Sequence, residues 1–197
     1  MTITEKQRAE MAELARRYGK PRSVDALIPD AFFDPIHRPD RVGEVCMVIR
    51  RPSGKILLAI KTFYPRGAYR LPTGGIGRDE SIENALHRET AEETGLDTVI
   101  RRFLAAISYR GDSSSSDEPI FHTFAFLLDE TGGTLESRDL HEQIEEYIEI
   151  EPSELRAVAE RLARVTSSYS KEVGGRWSAW GEFRAVVHRA VADALRV

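Results

Sequence analysis

Residues 71–96 carry an unusual helical pattern that constrains the fold more than any other stretch of the sequence. At helical spacing, one stripe combines apolar residues with three carboxylates: Ile82, Ala85, Leu86, Glu89, Glu92, Glu93 and Leu96. The remaining positions are expected to face outward and are mostly polar: Glu83, Asn84, His87, Thr90, Ala91 and Thr94. The outward side of the helix is already polar and can face solvent. Three acids on the inward stripe are therefore not explained as an ordinary solvated face. We expect Ser81 to be the N-cap and Gly95 the C-terminal stop.

Three carboxylates at spacing i, i+3 and i+4 repel one another and resist burial. A shared cation removes both penalties. Hard divalent ions such as Mg²⁺ take oxygen ligands and complete their shell with waters and substrate phosphates. Residues 72–77, which precede the helix, predict a glycine-rich turn whose backbone carbonyls can approach a ligand closely. Arg88 lies beside the stripe, within reach of Glu92 in the next turn or of Glu80 before the helix.

The same residues match a family signature. Gly74, five residues, Glu80, seven residues and then the run Arg88-Glu89-Thr90-Ala91-Glu92-Glu93-Thr94-Gly95-Leu96 resemble the Nudix box, G-x5-E-x7-R-E-U-x-E-E-x-G-U, where U is a bulky aliphatic residue. Every fixed position matches, and Thr90 stands where the family has an aliphatic residue. The mixed order of strands and helices indicates an α/β sandwich with a mixed sheet. The resemblance implies the Nudix-type α/β/α sandwich, to which this chain adds N-terminal and C-terminal helices.

The resemblance also implies an activity, namely hydrolysis of a diphosphate linkage in a nucleoside diphosphate derivative with Mg²⁺ or Mn²⁺. A divalent cation can neutralise the diphosphate and lower the pKa of a bound water. Carried over position by position, the expected metal ligands are Glu89, Glu92, Glu93 and the carbonyl of Gly74. The same three carboxylates are the expected catalytic residues. The residues expected to orient the helix are Glu80, Arg88 and Gly95.

Many members of the family take a further carboxylate, as base or ligand, from a loop before the last strand. Here we expect Glu142 first and Glu146 second, although each alone is better explained as a solvated charge than as the base. Candidate phosphate-binding cations near the box are Lys61, Arg66 and Arg70. Tyr64 and Tyr69 are candidates for stacking on a base. Gly111-Asp112-Ser113 stands where ADP-ribose enzymes of the family carry their marker, and Tyr109 is too close to the box for the dinucleoside marker, so the substrate stays open.

Composition limits the classes of protein that this chain can represent. With 197 residues and 41% hydrophobic content, it can fill one core. Its net charge of −4, without a basic run, argues against a nucleic-acid polymer as partner. The resemblance implies a small-molecule nucleotide instead. Cys46, the single cysteine, is expected to be buried. The sequence shows no signal peptide and no membrane span, so we expect a cytoplasmic protein.

The chain divides into residues 1–40, a helix and an extended segment, residues 41–165, the Nudix domain, and residues 166–197, an amphipathic helix of the same domain. Strands are expected at 43–51, 55–61, 98–109, 120–128 and 147–150, with a turn at 129–134, a helix at 151–165 and a polar break at 166–175. The stripe Trp177, Trp180, Phe183, Val187, Ala190, Val191 and Ala194 predicts core or homodimer packing. The serine-rich segment 110–119 is a flexible connection or a lid.

Two classes of function remain, a metal-dependent pyrophosphohydrolase and a non-catalytic nucleotide- or ligand-sensing module on the same fold. Loss of a box carboxylate would favour the module, and none is lost. A purely structural cation site would leave Arg88 and the glycines unexplained. The sequence offers no P-loop, dinucleotide fingerprint, paired zinc ligands or nucleophile elbow.

Overall fold

A computed structural model describes residues 3–28, 31, 33–36, 38, 40–111 and 118–196, without the side chains of residues 42 and 140. The helices are α1 (Glu5–Tyr18), α2 (Ile82–Thr94), α3 (Leu155–Leu162) and α4 (Trp177–Leu195), with short 3-10 turns at Leu140–Glu142 and Pro152–Glu154. The strands are β1 (Arg22–Ile28), β2 (Arg41–Arg50), β3 (Ile56–Lys61), β4 (Thr73–Gly77), β5 (Leu96–Gly111), β6 (Phe121–Gly133), β7 (Ile144–Ile150), β8 (Tyr169–Ser170) and β9 (Gly175–Arg176). Across these described ranges, no helix is both long and apolar enough to cross a membrane.

The main sheet has seven strands in the order β1-β5-β6-β2-β3-β7, with β4 paired to β2. The pairs β1–β5 and β2–β6 are parallel, whereas the other pairs are antiparallel. This confirms the predicted α/β class with a mixed sheet. The predicted hairpin from β2 to β3 is also present.

Helices cover both faces of this sheet. Alternate residues of β2 contribute to two separate cores, because successive side chains in a strand point to opposite faces. Val45 and Met47 pack with α1 and α2, whereas Cys46 and Val48 pack with α3 and α4. All seven residues of the predicted α4 stripe are buried in the second core. The stripe is therefore used within the chain, and the expected homodimer stays a prediction.

Three local expectations were wrong. Residues 129–134 do not form a turn, because β5 begins directly after Gly95 and pairs Leu96 with Gly133 of β6. Residues 72–77 contain strand β4 instead of a turn. The polar break at 166–175 contains β8 and the first residue of β9. The segment before residue 41 includes strand β1 at one edge of the sheet, which agrees with its expected extended conformation.

The N-terminal segment is attached to the domain at two places. Helix α1 begins with a capping box between Thr4 and Gln7, and its Glu10 carboxylate reaches the first turn of α2. Phe33 is buried against Phe183 of α4, with ring centroids 5.5 Å apart. Three residues of the expected extended segment, Pro29, Phe32 and Pro39, lie outside the described residues, as do residues 112–117 of the serine-rich segment.

Candidate active site

Helix α2 has the ends that its sequence predicts. The Ser81 side chain accepts a hydrogen bond from the Asn84 amide at 3.2 Å. Gly95 adopts φ 67° and donates its amide to the Ala91 carbonyl. A side chain at Gly95 would also meet the Thr134 carbonyl at 2.6 Å, so the residue must be glycine for both conformation and space. The caps fix where α2 starts and stops, and therefore where its carboxylates lie.

The outward face of α2 is narrower than its sequence predicts. Thr90 and Thr94 are buried, and the structure corrects their expected exposure. Each hydroxyl donates to a carbonyl one turn earlier at 2.6 Å, Thr90 to Leu86 and Thr94 to Thr90. Because these bonds satisfy the hydroxyls internally, threonine fits the core position where the family has an aliphatic residue.

Three carboxylates converge at the end of α2. Oxygen atoms of Glu89, Glu93 and Glu142 all lie within 4.8 Å of one another. Glu93 is 1% exposed, and its Oε2 atom is buried without a hydrogen-bond partner. Burial raises the pKa of Glu93 to about 8 and also raises the pKa of Glu89. An orphaned buried oxygen beside two further carboxylates is the environment that a hard divalent cation would complete.

Lys61 controls the charge of the third carboxylate. Its Nζ atom donates to Glu142 Oε2 at 2.5 Å. Burial works to raise the pKa of Glu142, but the charge and hydrogen bond of Lys61 outweigh it and hold that pKa below its ordinary value. Glu142 is therefore ionised near neutral pH, whereas Glu93 without a cation is largely protonated. Glu142 and Glu93 thus differ in protonation state although they lie in one site.

Glu92 and Glu146 are not brought into this cluster. The Glu92 side chain is 42% exposed and accepts from Arg88 Nη1 at 3.0 Å. Glu146 is exposed and accepts a hydrogen bond from the Tyr69 hydroxyl. Of the two loop carboxylates predicted for this role, Glu142 is the one that the structure places beside α2.

Arg88 ties α2 to strand β4. Its Nε and Nη2 atoms donate to the two oxygens of Glu80, both at 2.8 Å, and Nη2 also donates to the Gly75 carbonyl at 3.0 Å. Glu80 in turn accepts from the Gly77 amide at 3.0 Å. Arg88 Nη1 donates to Glu89 at 2.8 Å. This network joins α2 to the glycines of β4, and the orienting role expected of Arg88 and Glu80 stays a prediction.

Gly74 lies under one of the clustered carboxylates. A Cβ atom on Gly74 would sit 2.0 Å from Glu89 Cδ, so no other residue leaves Glu89 in place. The Pro72 carbonyl accepts from the Met47 amide at 2.9 Å, and ladder alternation then turns the Gly74 carbonyl toward β2 as well. The expected Gly74 carbonyl ligand therefore points into the sheet, and the Thr73 carbonyl points away from β2.

The cluster opens into a cavity of about 520 Å³. The three carboxylates line part of this cavity. Four arginines also line it: Arg38, Arg41, Arg70 and Arg184. The cavity therefore offers a cation site and donors for an anionic ligand side by side.

Comparison with known proteins shows what family this site represents. The sequence model of the NUDIX domain matches residues 40–169, about two thirds of the chain. The chain belongs to the Nudix hydrolase family. Over 100 residues it is 33% identical to a NAD-capped RNA hydrolase from Vibrio atlanticus, a match covering 51% of this chain and 34% of that protein. Over 90 residues it is 34% identical to an ADP-ribose pyrophosphatase from Methanocaldococcus jannaschii, covering 44% and 50%.

The matched segment thus spans half or less of each of these relatives. Among solved structures, an ADP-ribose pyrophosphatase from Streptococcus suis has 18% identity and a TM-score of 0.46, over 78% of this chain and 91% of that one.

The residues predicted to contact substrate are distributed unevenly around the Nudix site. Lys61, Arg70 and Tyr64 line the cavity, whereas Arg66 is exposed outside its lining. Arg70 is 3% exposed and donates to the Tyr64 hydroxyl, the Leu71 carbonyl and Thr73 Oγ1 at 3.0, 2.8 and 3.2 Å. The Tyr64 ring packs on Trp180 with centroids 4.8 Å apart, so that contact occupies the ring that was predicted to stack on a base.

Sequence reasoning missed part of the cavity of the Nudix site. Arg184 Nη1 donates to both oxygens of Glu44 at 2.8 and 2.9 Å, and Thr123 donates to the same carboxylate at 2.9 Å. Both charged residues are buried. The available signal was a charge inside an apolar pattern, in strand β2 for Glu44 and on α4 for Arg184. Arg38 and Arg41 do not lie inside an apolar pattern, so the sequence gave no indication that they line the cavity.

Proposed function

We propose that this chain is a pyrophosphohydrolase that cleaves the diphosphate linkage of a nucleoside diphosphate derivative with Mg²⁺ or Mn²⁺. The observation that carries the proposal is the cluster of Glu89, Glu93 and Glu142, two of them buried, which opens into a cavity that several arginines also line. A diphosphate is the ligand class that requires both a divalent cation and basic side chains.

The residues suited to hold the cation are the three clustered carboxylates, with the Thr73 carbonyl as a candidate backbone ligand. We propose Glu92 as a metal ligand only after these groups, because its carboxylate already accepts a hydrogen bond from Arg88. When bound, a divalent cation supplies charge neutralisation at the diphosphate and acidification of water.

The protein groups around the cluster have separate tasks in this proposal. Glu142 is kept ionised by Lys61, and it is our candidate to accept the proton of the attacking water. Arg88 holds Glu89 against β4 and fixes the direction of its carboxylate. The arginines that line the cavity hold the diphosphate so that phosphorus faces the attacking water in line with the leaving group.

The relatives favour an adenine nucleotide diphosphate as the first compound to test. One is named for ADP-ribose and the other for the NAD cap of RNA, and each of these carries a diphosphate linkage. A suitable panel contains ADP-ribose, NAD, nucleoside diphosphate sugars and nucleoside triphosphates, each with Mg²⁺, Mn²⁺ or a chelator. Metal-dependent turnover of a panel compound supports the proposal. If the protein is folded and binds metal but hydrolyses none of these compounds, the sensing module is favoured.

Glu93→Gln tests the assignment of the cluster. The substitution keeps the shape of the side chain but removes a charged oxygen ligand, so we expect turnover to fall on the order of 100-fold or more. Added Mg²⁺ should raise the Tm of the wild-type protein but not that of the variant. Glu145→Gln, an exposed carboxylate in the same segment as Glu142, serves as control. Wild-type turnover in Glu93→Gln would contradict the cluster assignment.

A further inference from the structure

Arg41, the first residue of β2, lines the cavity, and the nearby charge that it influences is that of Asp40, to which it is not hydrogen-bonded. Within the described ranges its half-buried guanidinium makes no hydrogen bond and no ion pair. Neighbouring Asp40 pairs with Arg38 instead, at 3.4 Å. The other cations of the cavity already have partners: Arg38, Lys61, Arg70 and Arg184. Arg41 is therefore the cavity cation whose N–H donors are open to a ligand.

A β-bulge directs Arg41 into the cavity. In a regular strand, Arg41 and Glu44 would point to opposite faces, because an odd number of positions separates them. The register with β4 shifts between Arg41, which pairs with Gly77, and Gly43, which pairs with Ile76. One extra residue in β2 at this point reverses the face of the strand to which the preceding side chains point. Arg41 and Glu44 therefore both line the same cavity.

Strand β4 provides the surface on which Arg41 lies. A Cβ atom on Gly75 would be 2.5 Å from Arg41 Nε and 2.7 Å from its Cζ. A Cβ on the preceding Gly74 would instead meet Glu89. Because successive Cβ atoms of a strand point to opposite faces, Glu89 and Arg41 flank β4 from its two sides. Between them lie two glycines without side chains.

The edge of β4 at these glycines faces away from the sheet. In the described part of the chain β4 pairs only with β2. Ladder alternation directs the amide of Gly75 away from β2, on the side where its carbonyl already accepts from Arg88. An anion lying across the glycines would meet the Gly75 N–H and the Arg41 guanidinium together.

We propose that Arg41 is a substrate-positioning residue that donates paired hydrogen bonds to non-bridging oxygens of the diphosphate. It does so from the face of β4 opposite Glu89, so that the diphosphate lies between the carboxylate cluster and the guanidinium. This inference rests on the proposed function. A planar guanidinium suits two oxygens of one phosphate group better than a lysine ammonium does.

The test compares Arg41→Ala, Arg41→Lys and, as matched control, Arg102→Ala, an exposed arginine of β5 outside the cavity. Binding of inorganic pyrophosphate in the presence of Mg²⁺ is measured by titration calorimetry. We expect affinity to fall about tenfold or more in Arg41→Ala, to recover in part in Arg41→Lys, and to stay unchanged in Arg102→Ala. Arg41→Gln, which keeps a polar side chain but removes the charge, gives the same comparison should Arg41→Ala fail to fold.

Steady-state kinetics with whichever panel compound is turned over separate binding from chemistry. Loss of ground-state binding should raise KM about tenfold with a smaller change in kcat. Unchanged KM and unchanged pyrophosphate affinity in a folded Arg41→Ala would overturn the inference and leave the hydrolase proposal standing. Arg41-dependent pyrophosphate binding in a wild-type protein that hydrolyses nothing would overturn the hydrolase proposal and support the Arg41 site.

Discussion

At the scale of single residues, two consecutive glycines of β4 make room for charged side chains on opposite faces of the strand. Gly74 leaves room for Glu89 on one face of β4, and Gly75 leaves room for Arg41 on the other. Neither has the positive φ that usually explains a glycine. Their shared role is close approach of a charged side chain to the backbone.

Gly74→Ala is expected to impair activity far more than folding. The added methyl group displaces a flexible carboxylate rather than backbone, so the strand can persist while Glu89 moves. A displacement of about 1 Å at a catalytic group lowers turnover on the order of 100-fold. Gly77→Ala in the same strand is the control, because its Cβ would meet Glu80 only at an ordinary 3.5 Å. Turnover at the wild-type rate by Gly74→Ala would show that Glu89 is not needed where it lies.

At the scale of elements, α1 acts as an external cap for α2. Glu10 accepts from the amides of Ile82 and Glu83 at 2.9 and 3.0 Å. Gln7 donates to the Glu80 carbonyl at 3.2 Å, and Arg17 pairs with Glu83. A carboxylate at a helix N-terminus satisfies orphan amides and favours the helix dipole. Helix α1 lies outside the segment matched by the family, yet it secures the position of α2.

Glu10→Ala should therefore lower the stability of the domain by about 1 kcal/mol through loss of the cap. Urea unfolding measures this change, with Glu13→Ala as control, since Glu13 lies on the same helix and pairs only with exposed Arg16. Equal unfolding midpoints for the two variants would argue against a capping role for α1.

At the scale of the whole molecule, His188 joins α4 to the segment before β4. Its Nε2 atom accepts from the Leu71 amide at 2.9 Å, and Nδ1 donates to the Arg184 carbonyl at 2.7 Å. Burial lowers the pKa of His188 to about 3. Between about pH 6.5, the ordinary pKa of histidine, and about pH 3, this side chain is protonated in the unfolded chain but neutral in the folded chain. The contribution of His188 to stability is complete above that window and is lost as the pH falls through it.

His188→Gln is expected to reduce the acid sensitivity of the fold. The wild-type protein should lose up to about 1.4 kcal/mol per pH unit from this residue below about pH 6.5, and the variant should lack that component. Urea unfolding at several pH values measures both slopes. His87→Gln, an exposed histidine on α2, is the control. Parallel pH dependence of wild type and His188→Gln would contradict the assignment. Because His122 also has a pKa lowered by burial, to about 4, some acid sensitivity should persist in the variant.

The sequence by itself determined the elements that depend on local spacing. Helix α2, its caps, the hairpin of β2 and β3, and the buried stripe of α4 follow from residues close together in the chain. The box also placed Glu89 and Glu93 together, because one helical turn brings them to one face. The family could be recognised for the same reason.

Only the tertiary structure decided which distant groups complete the site. Glu142 meets the box carboxylates because β3 and β7 pair, which brings Lys61 beside the segment that precedes β7. Arg41 enters the cavity through a bulge, and Arg184 through the packing of α4 on the sheet. Local patterns do not report such pairings, because register and helix packing depend on contacts between residues far apart in the chain. For the same reason, Glu92 matched the box but turned toward Arg88 and solvent.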